Sequence, residues 1–191
     1  MEKLKHTIQM LKNLLEQMQD FPLLAIRFLL ALGFYFPAME KWNNMEATIA
    51  WFGNEEWGLG LPFPELQAYL AATTEILGVW MLIFGIGTRL ISIPLIGTMV
   101  MAILTVHIDH GWYVIGQSAL NPEIAERIGT AKSILKEHGN YNWLTDKGSF
   151  VILQNGVETV VTYIILLLTL LTKGPGRISM DYFVEKRLFD K

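Results

Sequence analysis

Apolar residues in this chain are gathered into long runs, and polar residues into the gaps between them. The clearest case is the stretch 66–106. Leu66–Gly85 and Leu90–Val106 are two runs, each near the roughly 20 helical residues that cross a hydrocarbon core of about 30 Å. Only Gly85-Ile86-Gly87-Thr88-Arg89 lies between them. So short a link cannot carry a parallel crossover, and the pattern predicts an antiparallel membrane hairpin. A third run occupies 21–39 and a fourth 150–171.

The intervening segments have their own periodicity. Leu4, Ile8, Leu11, Leu15 and Met18 fall on one helical face, with Lys3, Lys5, Lys12 and Glu16 largely elsewhere. This predicts an amphipathic helix over 1–20, most simply lying along a membrane surface, with partner binding as its other reading. Asp20 can cap the next helix, and Pro22 suits a first turn. The loop 43–64 is rich in aromatics (Trp51, Phe52, Trp57, Phe63) and glycines, as expected of an interfacial belt or a lid. Pro94 should weaken the third span near its start. In the long polar loop 111–148, Asn121-Pro122 starts a helix, Gly139 stops it, and Ile124, Ile128, Ala131 and Leu135 form its stripe. The basic tail 173–191 is expected to end in a short helix capped by Ser179.

The predicted fold is thus all-α: an integral membrane antiparallel four-helix bundle with short amphipathic interfacial helices. Its spans are about 21–41, 65–86, 89–108 and 149–172, with a loop helix near 121–139. Composition agrees. The 191 residues suit one domain, 52% are hydrophobic, and mean hydropathy is +0.35. A net charge of −3 without a basic run excludes nucleic acid as a partner class. No cysteine is present, which removes disulfides and thiolate chemistry. Lys3, Lys5, Lys12, Arg89, Lys173, Arg177, Lys186, Arg187 and Lys191 would share one side of the membrane. Lys41, Arg127, Lys132, Lys136 and Lys147 would share the other, four of these in one long loop. This asymmetry favours cytoplasmic termini in a bacterial inner membrane.

Polar groups inside the runs are the candidate chemistry, because an ionisable side chain at membrane depth is costly and marks a site by default. Glu75 stands in the second span. Glu158, with Gln154, Asn155 and Thr162 at spacings of three and four, gives the fourth span an inward polar face. Arg27 lies two turns into the first span, either snorkelling to the near interface or pairing with an internal acid. Lys41 and His107 stand at the outer ends of the first and third spans. Two acids beside a cation and an imidazole can exchange protons near neutral pH, and the same groups can equally form an ion-pair network that sets helix rotation. His107, Asp109 and His110 form a weak metal-ligand set, since 107 and 110 share a helix face. No pair of buried axial histidines for haem is evident.

Several motifs together resemble the DoxX family of bacterial membrane proteins. They are Arg27, Phe34 and Lys41; Trp51-Phe52-Gly53; Gly60-Leu61-Pro62-x-Pro64; Ala68-Tyr69-Leu70-Ala71-Ala72; Glu75 with Gly78; Gly85-x-Gly87-Thr88-Arg89; Met99; His107; and Gly174-Pro175-Gly176-x-x-Ser179-x-Asp181. Pro37-Ala38 stands where the family often has His-Gly, and the loop 111–148 is longer than its usual counterpart. The resemblance implies a four-helix bundle and, in some members, the membrane subunit of a thiosulfate:quinone oxidoreductase; others look like accessory components of larger complexes. The expectation is a quinone-interacting subunit or partner of a membrane oxidoreductase. Glu75, Glu158 and His107 would handle protons, and Arg27, Lys41, Trp51 and Asn155 would hold the quinone. The alternatives are a non-enzymatic scaffold with a protein partner, or a small-solute or metal transporter working as a homodimer.

Overall fold

The computed structural model describes residues 1–189. It is helical, and the described residues contain no strand beyond one isolated bridge between Ile115 and Leu153. The helices are α1 (Glu2–Met18), α2 (Asp20–Asn43), α3 (Met45–Gly53), α4 (Pro64–Phe84), α5 (Thr88–Ala102), α6 (Pro122–His138), α7 (Tyr141–Leu144), α8 (Glu158–Lys173) and α9 (Met180–Phe189). Among the described residues, three helical runs are long and apolar enough to cross a membrane: 3–43, 64–84 and 88–110.

The chain divides into two compact units, one formed by 1–100 with 163–191 and the other by 101–162. In the first, Leu30, Ala31 and Phe34 of α2 meet Val79 and Leu82 of α4, Ile91 and Leu95 of α5, and Leu167 and Leu170 of α8. Close approach rests on small residues. A Cβ on Gly78 would meet the Leu95 side chain at 2.9 Å, and one on Gly33 would collide with the Tyr163 hydroxyl. Many of the remaining apolar side chains, such as Leu32, Phe36, Leu70 and Leu90, face outward, as lipid-facing positions require.

The turn between α4 and α5 keeps the hairpin tight through Gly85 and Gly87, both at positive φ, a region that glycine enters without a Cβ penalty. Pro94 sits inside α5, which stays α-helical through it from Thr88 to Ala102. The helix then relaxes to a π-turn over Ile103–His107 and a 3-10 turn over Ile108–His110. α6 matches its predicted limits, with the Asn121 side chain accepting from the Glu123 and Ile124 amides, and Ser179 Oγ accepts from the Tyr182 amide at the start of α9.

Three expectations differ from the structure. Gln19 keeps right-handed helical angles, so Asp20 does not restart the chain and α1 runs into α2 with hardly a break. The loop 43–64 contains a helix, α3, whose end is stitched by Leu59 N–H to Trp51 O and Leu61 N–H to Phe52 O. The fourth apolar run is not helical from 149. α8 has 16 residues, about 24 Å at 1.5 Å each, which is short of a full hydrocarbon core. Residues 152–158 instead pair with 111–116: Gly116 N–H donates to Ile152 O, Gln154 and Asn155 N–H to Val114 O, and Glu158 N–H to Trp112 O. Backbone partners outside the helix and the left-handed Asn155 (φ 62°) stop helical winding there. Gln154, Asn155 and Glu158 consequently do not share a helix face.

Candidate functional site

Lys41 stands in the last turn of α2, and Glu75 lies midway along α4. Ala38, Ala68 and Ala72 are buried on these two helices, and small side chains let helix backbones approach in a membrane. Lys41 Nζ donates to both Glu75 oxygens, at 2.8 and 3.1 Å. The carboxylate side chain is 6% exposed and the lysine 22%. The pair therefore neutralises a buried acid, while the lysine side chain keeps some exposure. Below it, Thr48 of α3 is buried and donates to Asn44 O at 3.0 Å, closing the α2–α3 corner.

Arg27 belongs elsewhere. It precedes Lys41 by 14 positions on α2, about 21 Å of helix. Its guanidinium is buried and donates to four carbonyls: Nε to Leu82 O (2.8 Å), Nη2 to Ile83 O (2.9 Å), and Nη1 to Ile178 O (2.7 Å) and Pro175 O (3.1 Å). Leu82 and Ile83 carry carbonyls of the last turn of α4, which lack intrahelical donors and form the negative end of the helix dipole. Arg27 neither snorkels nor pairs directly with an acid, and it does not join the Lys41–Glu75 pair. It clamps one end of the first unit, where Arg177 Nε also meets Asp20 at 2.8 Å and the Asp181 carboxylate accepts from the Gly87 and Thr88 amides at 2.7 and 2.9 Å.

His107, Asn155 and Glu158 lie in the second unit. His107 Nδ1 is 2.7 Å from Asn155 O; a carbonyl only accepts, so Nδ1 carries the proton and Nε2 is the acceptor in the neutral ring. It is the main chain of Asn155, not its amide, that engages the histidine. Glu158 is exposed and accepts from Val114 N–H at 3.3 Å. It borders an open hollow of about 400 Å³ with Val114, Ile115, Gln117, Thr159 and Thr162. His107, Asp109 and His110 do not form a ligand set: among the described residues no three histidine or acidic side chains gather to hold a metal. Trp51, on α3, is half-buried with its ring edge-on to Phe52, the centroids 5.5 Å apart. Sequence reasoning missed Asp181 as the cap of α5; a partner 93 positions away leaves no local signal.

Arg27, Lys41 and Glu75 all fall within the part of the chain that profile comparison recognises. Residues 22–108 match the model of the DoxX family. The motifs at 174–181 lie outside that match. A Haemophilus influenzae protein described as "Uncharacterized protein" is 27% identical over 168 residues, covering 86% of this chain and 83% of that protein. "Putative oxidoreductase CatD" of Bacillus subtilis is 32% identical over 83 residues, covering 44% of this chain and 58% of CatD. No solved structure matches significantly.

Proposed function

We propose that this DoxX-family membrane protein is a quinone-interacting component of a membrane oxidoreductase, with the Lys41–Glu75 pair as its polar site. The observation that carries this reading is the pair itself: a nearly fully buried carboxylate held by a lysine whose side chain stays partly exposed. Support comes from the family match over that region and from the likeness of part of the chain to a protein named as an oxidoreductase.

The residues fit such a ligand in their donor chemistry. An ammonium has three protons; two point at Glu75, and the third suits a carbonyl oxygen. Bound quinone would supply two-electron, two-proton redox chemistry, with the electrons coming from a partner subunit. Lys41 orients the acceptor and holds a proton at Nζ, and Glu75 fixes that ammonium in place. The α2–α4 packing excludes water from the carboxylate. The finer architecture belongs to the same proposal: α8 completes a four-helix bundle with α2, α4 and α5 in the inner membrane, with both termini cytoplasmic.

The test is organic extraction of gently solubilised protein with quinone quantified per mole. Near-stoichiometric quinone, lost in folded Glu75→Gln protein, supports the reading. Quinone at the level of a control membrane protein overturns it in favour of a scaffold, in which the ion pair serves folding alone.

A further inference from the structure

The tail helix α9 has no obvious place in that chemistry, yet it is built with care. Its first turn is pinned to the α4–α5 corner. Asp181 N–H donates to Gly85 O at 2.9 Å while its carboxylate takes the Gly87 and Thr88 amides, and Ser179 Oγ accepts from Tyr182 N–H. The preceding segment is held by Arg27 through Pro175 O and Ile178 O, and by Arg177 N–H to Asp20 Oδ1 at 2.8 Å. The helix therefore starts at the end of the candidate spans, in a fixed orientation.

At about 100° per residue, Met180, Phe183, Val184 and Leu188 fall within an arc of about 140°, opposite the half-buried Tyr182. These four are exposed, Phe183 and Leu188 each at 65%, and Ile178 just before them is also exposed. Arg187 lies within the arc and Lys186 about 60° beyond it, and Arg89 and Lys173 are exposed on the elements that α9 is tied to or follows. Asp181 and Asp20 are consumed by their amide and arginine partners, which leaves Glu185 as the exposed acid of α9.

We propose that α9 is an interfacial anchor that lays Met180, Phe183, Val184 and Leu188 into the headgroup boundary of an anionic bilayer. Two observations choose lipid as the occupant. Phe84 and Leu90, exposed apolar residues at the end of α4 and the start of α5, flank the corner to which Asp181 is tied. Among the described residues the charges around it that form no ion pair, Arg89, Lys173, Lys186 and Arg187 against Glu185, are those that anionic headgroups attract. Arginine and lysine within and beside the arc can extend their stems along it and keep their charges among headgroups. This inference rests on the chain being embedded in a bilayer, but not on the redox reading.

The chain has no cysteine, so single labels can be placed cleanly. Full-length Phe183→Cys, Val184→Cys and Glu185→Cys proteins, each spin-labelled, would be placed one protein per nanodisc. The discs would contain either neutral phosphatidylcholine or a mixture with phosphatidylglycerol. Anchoring predicts that labels at 183 and 184 collide several-fold more with oxygen than with an aqueous nickel complex, that the label at 185 shows the reverse, and that the contrast grows with anionic lipid. Water-like accessibility at all three positions in both lipids would overturn the proposal and point to a protein partner. A contrast equal in both lipids would overturn the anionic preference. Because these labels are read independently of quinone content, loss of the redox reading leaves the outcome intact, and the reverse holds too.

Discussion

Lys41 and Glu75 show how a charge can be kept at membrane depth. Either residue alone would stand uncompensated, since removing one partner of a buried pair typically costs about 3–5 kcal/mol; the 22% exposure of Lys41 places Glu75→Leu, which leaves the lysine behind, toward the lower end. Replacing both, as Lys41→Met with Glu75→Leu, should recover most of that stability in detergent unfolding titrations, yet abolish quinone retention if the pair is a site. Asn155 carries a different kind of constraint. Its φ of 62° is one that glycine takes freely and β-branched residues resist, so Asn155→Gly should keep wild-type stability and Asn155→Val should lose about 1–3 kcal/mol. Since His107 meets the carbonyl and not the amide, Asn155→Gly should also leave the His107 ring-nitrogen NMR shifts unchanged. The expectation that the Asn155 amide binds a cofactor fails if quinone content is equally untouched.

Helix ends govern the behaviour of the elements. The amides of Gly87 and Thr88 open α5, and Asp181 satisfies both from the tail. Loss of such a cap costs about 0.5–2 kcal/mol, so Asp181→Ala should destabilise the protein by that amount and speed hydrogen exchange at Gly87, Thr88 and the first turn of α9, with little change in α6. Gly85 is constrained twice over: its φ is +66°, and a Cβ there would stand 2.8 Å from Arg27 Cζ and 2.6 Å from Ser179 Cβ. Gly85→Ala should therefore release the Arg27 clamp, visible as increased trypsin cleavage after Arg177 relative to wild type. The fourth run had the length and hydrophobicity of a span but winds as helix only from Glu158, because the backbone groups before it are taken by 111–116.

At the scale of the whole molecule, the proposed topology puts the termini and the loop helix α6 on opposite sides of the membrane. A membrane-impermeant maleimide should label Glu126→Cys protein in intact cells, and should label Glu185→Cys protein only after permeabilisation. The reverse pattern would invert the orientation while leaving every contact described above in place.

Much of this protein was legible one residue at a time. Runs of apolar residues, the Asn121-Pro122 start of α6, the Ser179 cap and the glycine turn at 85–87 are local signals, because helix propensity, capping and turn geometry act over a few residues. The candidate site residues were legible too, since an acid or base in an apolar run stands out. Their partners were not. Nothing in the order of residues says that Lys41 reaches Glu75 while Arg27 turns to four carbonyls, that Asp181 caps a helix 93 positions earlier, or that residues before Glu158 prefer a neighbouring loop to helix. Such choices are made by which buried polar group lies within hydrogen-bond reach once the helices have packed, and that distance exists only in the folded chain.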